Sequence, residues 1–463
     1  MKINNIYRHI IAVAALAAAA VWLGGCSFYT AYRRPDTPFV DSLYMSADTV
    51  VSKSNSLAAL TWQELFGDPL LQNLIAKGLE NNTDLRVARL RVEEAEATLA
   101  VSRKALIPTV SAGANVSYSA DPSRVSYTVA PTFAWEADIF GRLTNARRSA
   151  AAALEASEAY RRAVQTRLIA TIANSYYTLL MLDEQLSISR RTLDTWEESI
   201  RSLEALKRGG KTNEAAVLQA KANRLSVEGS ALTLVKQIRE QEYSLAALLG
   251  SAPFAIERGS LNNQNFPKEL SIGLPLQLLD RRPDVRQAEM ELAQAYYAVN
   301  IARASFYPSV TLSGTLGWSG ASGAAISDPG SWLLNAILSV VQPVFAQGQN
   351  RARLKTAQAR QEQAVLQFRQ SLLDAGTEVN CALIEWQTAL RRLDVDKKQI
   401  LNLRGAVWNT RLLMRHSTNT NYLEVLTAQQ NLLQAELTET TDKYNEIQSV
   451  ISLYRALGGG AEY

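Results

Sequence analysis

Residues 110–118, VSAGANVSY, and 310–318, VTLSGTLGW, lie 200 positions apart and share one pattern. Val110, Ala112, Ala114, Val116 and Tyr118 alternate with Ser111, Gly113, Asn115 and Ser117. Val310, Leu312, Leu316 and Trp318 alternate with Thr311, Ser313, Thr315 and Gly317. A period of two predicts strands, apolar on one face and small and polar on the other. The match is wider than the strands. Asp84, Arg86, Ala88, Ala95, Arg103, Pro108 and Val110 face identical residues 200 positions on, and Thr212, Asn213, Val217, Leu218, Ala220, Asn223, Leu225, Glu228 and Leu249-Gly250 recur at an offset of 208. The chain is therefore a duplication, each copy reading long helix, strand pair, long helix.

Each strand has a return partner. After a turn at 120–124, Tyr127, Val129, Pro131, Phe133 and Trp135 alternate with Ser126, Thr128, Ala130 and Thr132. In the second copy a Gly-, Ala- and Ser-rich loop (319–331) leads to a strand from Trp332 to Val341 that alternates poorly. This predicts hairpins at about 109–136 and 309–342. A sandwich also has apolar strand faces. Here the apolar faces carry Tyr and Trp near strand ends while the others carry small polar groups, the inversion that lipid outside and water inside demands. Strands of about 10 residues suit a membrane crossing. Four cannot close a barrel, and an open sheet edge in lipid costs several kcal/mol per unsatisfied backbone group. Several chains must pool hairpins: about eight strands give an interior that side chains fill, about twelve can leave a bore. Three chains are preferred.

The helices supply a second geometric constraint. Residues 141–206 and 346–413 are proline-free runs rich in Ala, Leu, Gln, Glu and Arg, each about 100 Å long at about 1.5 Å per residue. The other helical runs, 69–106, 214–249, 276–306 and 421–457, are about half as long, so two end to end match one long helix. A hollow cylinder of long and paired short helices follows. A coiled-coil stalk explains the helices too, but not the strands between them.

At the N-terminus, Lys2 and Arg8 precede an apolar core from Ile10 to Val21 and then Leu23-Gly24-Gly25-Cys26. This reads as an export signal over 1–25, the core being short of the roughly 20 residues that span a bilayer. Small residues before a cysteine resemble a bacterial lipobox. On that reading Cys26 becomes the lipidated mature N-terminus, and its covalent lipid is the sole attached group expected, with no other cofactor. The alternative is an ordinary signal with an incidental cysteine. Ser27 follows, without the aspartate that holds such lipoproteins at the inner membrane, so the outer membrane is expected. Residues 26–61 read as an extended, lipid-anchored arm, 62–268 as the first repeat and 269–463 as the second, the barrel, tunnel and equatorial regions being shared by both. The remaining cysteine, Cys381, is expected to serve packing. A net charge of +4 with interleaved charges gives nucleic-acid binding no support.

Catalytic constellations are missing from the sequence. The histidines are His9, inside the signal, and His416, so no histidine-based triad or multi-histidine metal site can be assembled. No HExxH, P-loop or GxSxG occurs, and carboxylate pairs such as Glu93-Glu94 and Glu197-Glu198 read as solvated helix faces. An enzyme is not expected.

The ordered set Phe140-Gly141-Arg142, Arg281-Arg282-Pro283-Asp284, Gln342-Pro343-Val344-Phe345, YLEVLTAQ (422–429) and LYRALGG (453–459) resembles the TolC-like outer membrane efflux family, specifically the lipoprotein branch serving resistance-nodulation-division pumps. The resemblance runs from about Trp62 to Gly460. It implies a mainly α chain with a transmembrane β-barrel, long α-hairpins plus four strands per protomer. Three chains would form a 12-stranded β-barrel and a 12-helix α-barrel. It implies a homotrimeric exit duct in the outer membrane of a Gram-negative bacterium, its tunnel projecting into the periplasm, docked by a periplasmic adaptor and an inner-membrane transporter of the resistance-nodulation-division type. The gate would sit where long helices turn back, at 207–213 and 415–420. Family members ring it with aspartates one helical turn apart. The matching positions here are Glu424 and Thr427: one carboxylate is kept, the other lost. Arg415 and Lys211 near the turns are candidates for the ion pairs or hydrogen bonds that hold such a tip shut, and Thr420 and Thr212 are counted with them in the gate. Two other readings stay open, a protein-secretion duct of type I kind and a periplasmic coiled-coil scaffold that forms no pore.

Overall fold

The computed structural model describes residues 29–36, 60–118, 125–264, 266, 282–321, 331–416 and 422–459. In chain order the elements are α1 (Trp62–Leu65), α2 (Pro69–Asn81), α3 (Thr83–Lys104), β1 (Thr109–Tyr118), β2 (Val125–Ala137), α4 (Arg142–Arg208), α5 (Glu214–Leu248), α6 (Pro283–Ala304), β3 (Ser309–Ala321), β4 (Ser331–Val341), α7 (Gln349–His416) and α8 (Tyr422–Ala456). The signal over 1–25 and Cys26 lie outside the described residues. Helices and strands fall in the order expected of a duplicated TolC-like unit, and α4 and α7 run for 67 and 68 residues.

One expected helix is divided. Residues 69–106 form α2 and α3 with Asn82 between them in extended geometry (φ −61°, ψ 128°). Its Oδ1 accepts from Leu85 N at 3.0 Å, the bond of a helix N-cap, while its Nδ2 donates to Leu248 O at 2.9 Å. A cap that also ties down the end of α5 overrides the helical periodicity on either side.

The chain forms two compact units, each drawing on both copies. The first contains the sheet, a single antiparallel layer ordered β1-β2-β3-β4. Its register places Val116 opposite Tyr127, Val129 opposite Trp318, Trp135 opposite Leu312 and Leu316 opposite Leu334. Residues directly opposite share a face, so one face is apolar across all four strands. The weak alternation of β4 has a local cause: Ile337 and Val341 stand opposite Ser313 and Ser309, putting apolar groups on the polar face as well. Gly314 is covered by Phe133, whose ring a Cβ there would meet at 2.2 Å.

At the base of the sheet the Phe140-Gly141-Arg142 motif turns strand into helix. Gly141 adopts φ +69°, and the Asp138 carboxylate accepts from Leu143 N at 2.7 Å and Thr144 N at 2.6 Å, capping α4. Phe140 stacks on Tyr307 at 4.8 Å. Arg142 pairs with Glu136 through Nε at 3.0 Å and Nη2 at 2.5 Å. The segment 29–36 lies against α6: Arg34 grips Glu289 at 2.8 and 2.7 Å, and Arg286 bridges Glu289 and Glu155.

The second unit has the larger core, where Phe66, Leu71 and Ile75 meet Ile169, Ile172, Tyr176 and Tyr177 of α4 and Ile447, Ile451 and Leu453 of α8. Asp68 caps α2 through Oδ1 and accepts from Tyr176 Oη at 2.7 Å through Oδ2. Two of the recognised motifs prove to be fasteners. Arg282, 7% exposed at its side chain, joins Asp284, Glu378 and the Ala456 carbonyl. In LYRALGG, Tyr454 donates to Leu60 O at 2.9 Å and Arg455 pairs with Glu378 at 3.0 Å, while a Cβ on Gly459 would strike the Tyr454 ring at 2.3 Å. On α7, Leu372, Val379, Leu393, Ile400 and Val407 are buried at intervals of seven or multiples of seven, the seam of a coiled coil. Cys381, expected to pack, is exposed, because it stands beside that seam rather than in it.

Candidate functional site

The far end of α4 and the start of α5 are joined by a tight turn. Gly209 N donates to Ala205 O, Lys211 N to Leu206 O at 2.9 Å, and Gly210 takes φ +70°. This left-handed stop satisfies the last carbonyls of α4, and Asn213 opens α5 by accepting from Ala216 N at 3.0 Å. Beneath the turn is a small core of Trp196, Ile200 and Leu203 from α4, Ala216, Val217 and Ala220 from α5, and Leu426 and Leu433 from α8, with Met414 of α7 packed against it. The start of α8 is thus fixed by Val425 and Leu426, which are buried, while Glu424 and Thr427 remain exposed on the same side of the helix, one turn apart.

The site residues expected from the sequence separate into three groups. Glu424 and Thr427 lie in the first turns of α8. Lys211 is exposed and Thr212 half-buried at the α4–α5 turn, the Thr212 hydroxyl being buried without a hydrogen-bond partner among the described residues. Thr420 lies outside the described residues, and Arg415 stands near the end of α7. The ion pairs shown at the α4–α5 turn run through neighbours instead: Lys207 with Glu214, and Lys221 with Glu204 at 2.8 Å. The hydrogen bond and charge of Lys221 hold the Glu204 carboxyl below its ordinary range.

A buried polar junction was missed. In the orientation that satisfies all three groups, the Gln429 carboxamide oxygen accepts from Ser199 Oγ at 2.9 Å and from Arg411 Nε and Nη2 at 3.1 and 2.8 Å. It joins α4, α7 and α8. The only sequence signal was that Gln429 ends the YLEVLTAQ run, since nothing local says that Ser199 and Arg411 converge on it.

A four-stranded sheet with a bare apolar face, joined to helices 67 and 68 residues long, defines the class: an outer membrane transport protein built from a duplicated helix-and-hairpin unit. A family model described as "Outer membrane efflux protein" matches residues 74–251 and 274–459, and the chain belongs to that family. It is 31% identical over 445 residues to "Probable outer membrane lipoprotein SilC" of Salmonella typhimurium, covering 95% of this chain and 96% of that one. It is 30% identical over 464 residues to "Probable efflux pump outer membrane protein TtgC" of Pseudomonas putida, covering 96% and 95%. The solved outer-membrane channel OprN superposes with a TM-score of 0.86 at 29% identity, covering 94% of this chain and 100% of that one. The protein is an outer membrane efflux channel, and its residues fit the resemblance drawn from the motifs. Among the described residues no helix is long and apolar enough to cross a membrane.

Proposed function

We propose that three copies of this chain pool their sheets into one barrel and their helices into a periplasmic tunnel, the exit duct of a tripartite efflux pump. The observation that carries this reading is the sheet. Its order gives β1 and β4 one neighbour each among the described residues, and unpaired strand edges are not tolerated in lipid. Four strands from each of three copies make twelve, enough for a bore. The helices support it: on α5, Leu218, Leu225 and Leu232 recur every seven residues yet are 56, 61 and 68% exposed, an apolar stripe for the helices of a neighbouring copy.

On this reading cargo passes passively. A periplasmic adaptor and an inner-membrane transporter dock at the tunnel tip and supply the energy. Cys26 carries the lipid that fastens the N-terminus to the outer membrane. Three Glu424 carboxylates ring the constriction and favour cations, because like charges in a narrow passage reinforce one another's field. Thr427 contributes no charge one turn further on, and Lys211, Thr212, Arg415 and Thr420 belong to the turns that hold the tip closed. Mass by light scattering and conductance in planar bilayers test this together. A trimer with small, cation-selective steps is expected. A monomer or dimer without conductance would overturn the duct and favour the scaffold.

A further inference from the structure

The α7 seam contains one residue of the wrong kind. Ala375, Ala382 and Ala389 occupy a second line of buried positions seven residues apart, and the next position in that line is Asp396. It is 7% exposed, and Asp442 of α8, whose side chain is within hydrogen-bonding reach of it, is 2% exposed. Asp442 accepts from Arg392 Nε at 2.9 Å through Oδ2 and from Asn445 Nδ2 at 3.2 Å through Oδ1. Among the described residues Asp396 Oδ2 has no donor. Two buried carboxyls in contact, with one guanidinium already committed, cannot both be ionised without uncompensated charge.

We propose that Asp396 and Asp442 form a proton-binding site that locks α7 to α8, the lock being made when Asp396 carries the proton and loosened when it does not. The protonated carboxyl supplies the missing donor, an O–H between the two helices. The charges facing the pair come from both helices, Arg392 on α7 and Glu439 on α8. Lys443 of α8, next to Asp442 in the chain, has Glu439, Glu446, Lys397 and Glu184 around it. Lys443 itself donates to Asn262 at 2.9 Å. Burial first, then the Asp442 contact and its charge, push the Asp396 carboxyl up to about 6, with Arg392 opposing and Glu439 adding to the rise.

The sign follows. The native fold holds this proton more tightly than the unfolded chain, so the stabilisation is fully present below the ordinary value of 3.8 and is lost as pH rises through about 6. The site goes beyond the duct reading, and its test does not require conduction. Full-length detergent-solubilised protein is titrated from about pH 4.5 to about pH 8, a span bracketing ordinary and raised carboxyls. The protonated-carboxyl C=O stretch is followed by infrared difference spectroscopy and the amide exchange of residues 436–446 by mass spectrometry. In the native sequence a carboxyl band should disappear with a midpoint near pH 6. Exchange, corrected for its intrinsic pH dependence, should speed roughly thirtyfold over the titration, about tenfold for each pH unit between its start and the midpoint near 6. Asp396→Asn, which keeps the shape and a donor, should remove both changes. Asp442→Asn should move the midpoint down toward ordinary carboxyls, and serves if the first variant fails to assemble. Absence of such a band, its persistence in Asp396→Asn, an unmoved midpoint in Asp442→Asn or pH-independent exchange in the native protein would each overturn the site.

Discussion

Gln429 of α8 and Ser199 of α4 meet through a hydrogen bond of 2.9 Å in the buried core beneath the helix turns, with the Arg411 guanidinium on the same carboxamide oxygen. A buried polar group that loses its partner costs about 1–3 kcal/mol, more when the orphan is charged. Gln429→Ala leaves both Ser199 and Arg411 without this acceptor. We expect faster amide exchange in residues 422–433 and larger, noisier conductance steps. Gln429→Glu keeps an acceptor for Arg411 and should behave much more like the native protein.

Selectivity should follow the charge at Glu424. Glu424→Ala is expected to lower the cation-to-anion permeability ratio obtained from reversal potentials in a salt gradient, while Glu424→Asp largely keeps it. Thr427→Asp adds a carboxylate one turn away on the same exposed side and should raise the ratio above native. Equal ratios in all variants would remove the residue from the constriction.

Gly317 stands where β3 passes close to β2. A Cβ there would come within 2.3 Å of the Val129 carbonyl and 2.4 Å of Ala130 Cβ, a backbone approach that does not relax by side-chain rotation. Gly317→Val should therefore destabilise the sheet by about 1–3 kcal/mol or more. Loss of the heat-modifiable gel mobility typical of a folded barrel is the readout. Gly113, with open space around its Cβ position, is the control, and Gly113→Ala should run as the native protein does.

Acid should release the segment 29–36. Burial opposes the charge of Glu289, but Arg34 and Arg286 outweigh it and hold the carboxyl below its ordinary 4.5. A depressed carboxyl contributes stability that is present above the unfolded value and lost as pH falls through the folded one, so the Arg34 clamp should hold at neutral pH and fail below about 4.5. Limited proteolysis with an acid-tolerant protease should cut within 29–36 only after acidification. In Glu289→Gln the cut should appear at neutral pH.

Much of the architecture was legible because it is periodic. The alternation of Val110 to Tyr118 and of Val310 to Trp318 depends only on which face a side chain takes, a property of one strand at a time. The break at Asn82 was not legible, because the residue that breaks the helix does so by reaching Leu248, 166 positions away. Cys381 misled for a similar reason: helical periodicity marks several faces of a long Ala-rich helix as able to pack, and only the neighbouring helices choose one. At the helix turns, Glu424 and Thr427 came into view only through the family resemblance that YLEVLTAQ carries. The junction of Gln429 with Ser199 and Arg411 could not.

The sequence by itself determined the duplication, the order of helices and strands, the apolar face of the sheet and the family, because each is written in spacing along the chain. The tertiary structure alone decided which strand edges are left with one neighbour, which polar side chains meet beneath the turns, and that Asp396 falls in a buried seam against Asp442. Those outcomes depend on register and helix rotation, and both are set by packing between residues far apart in the sequence.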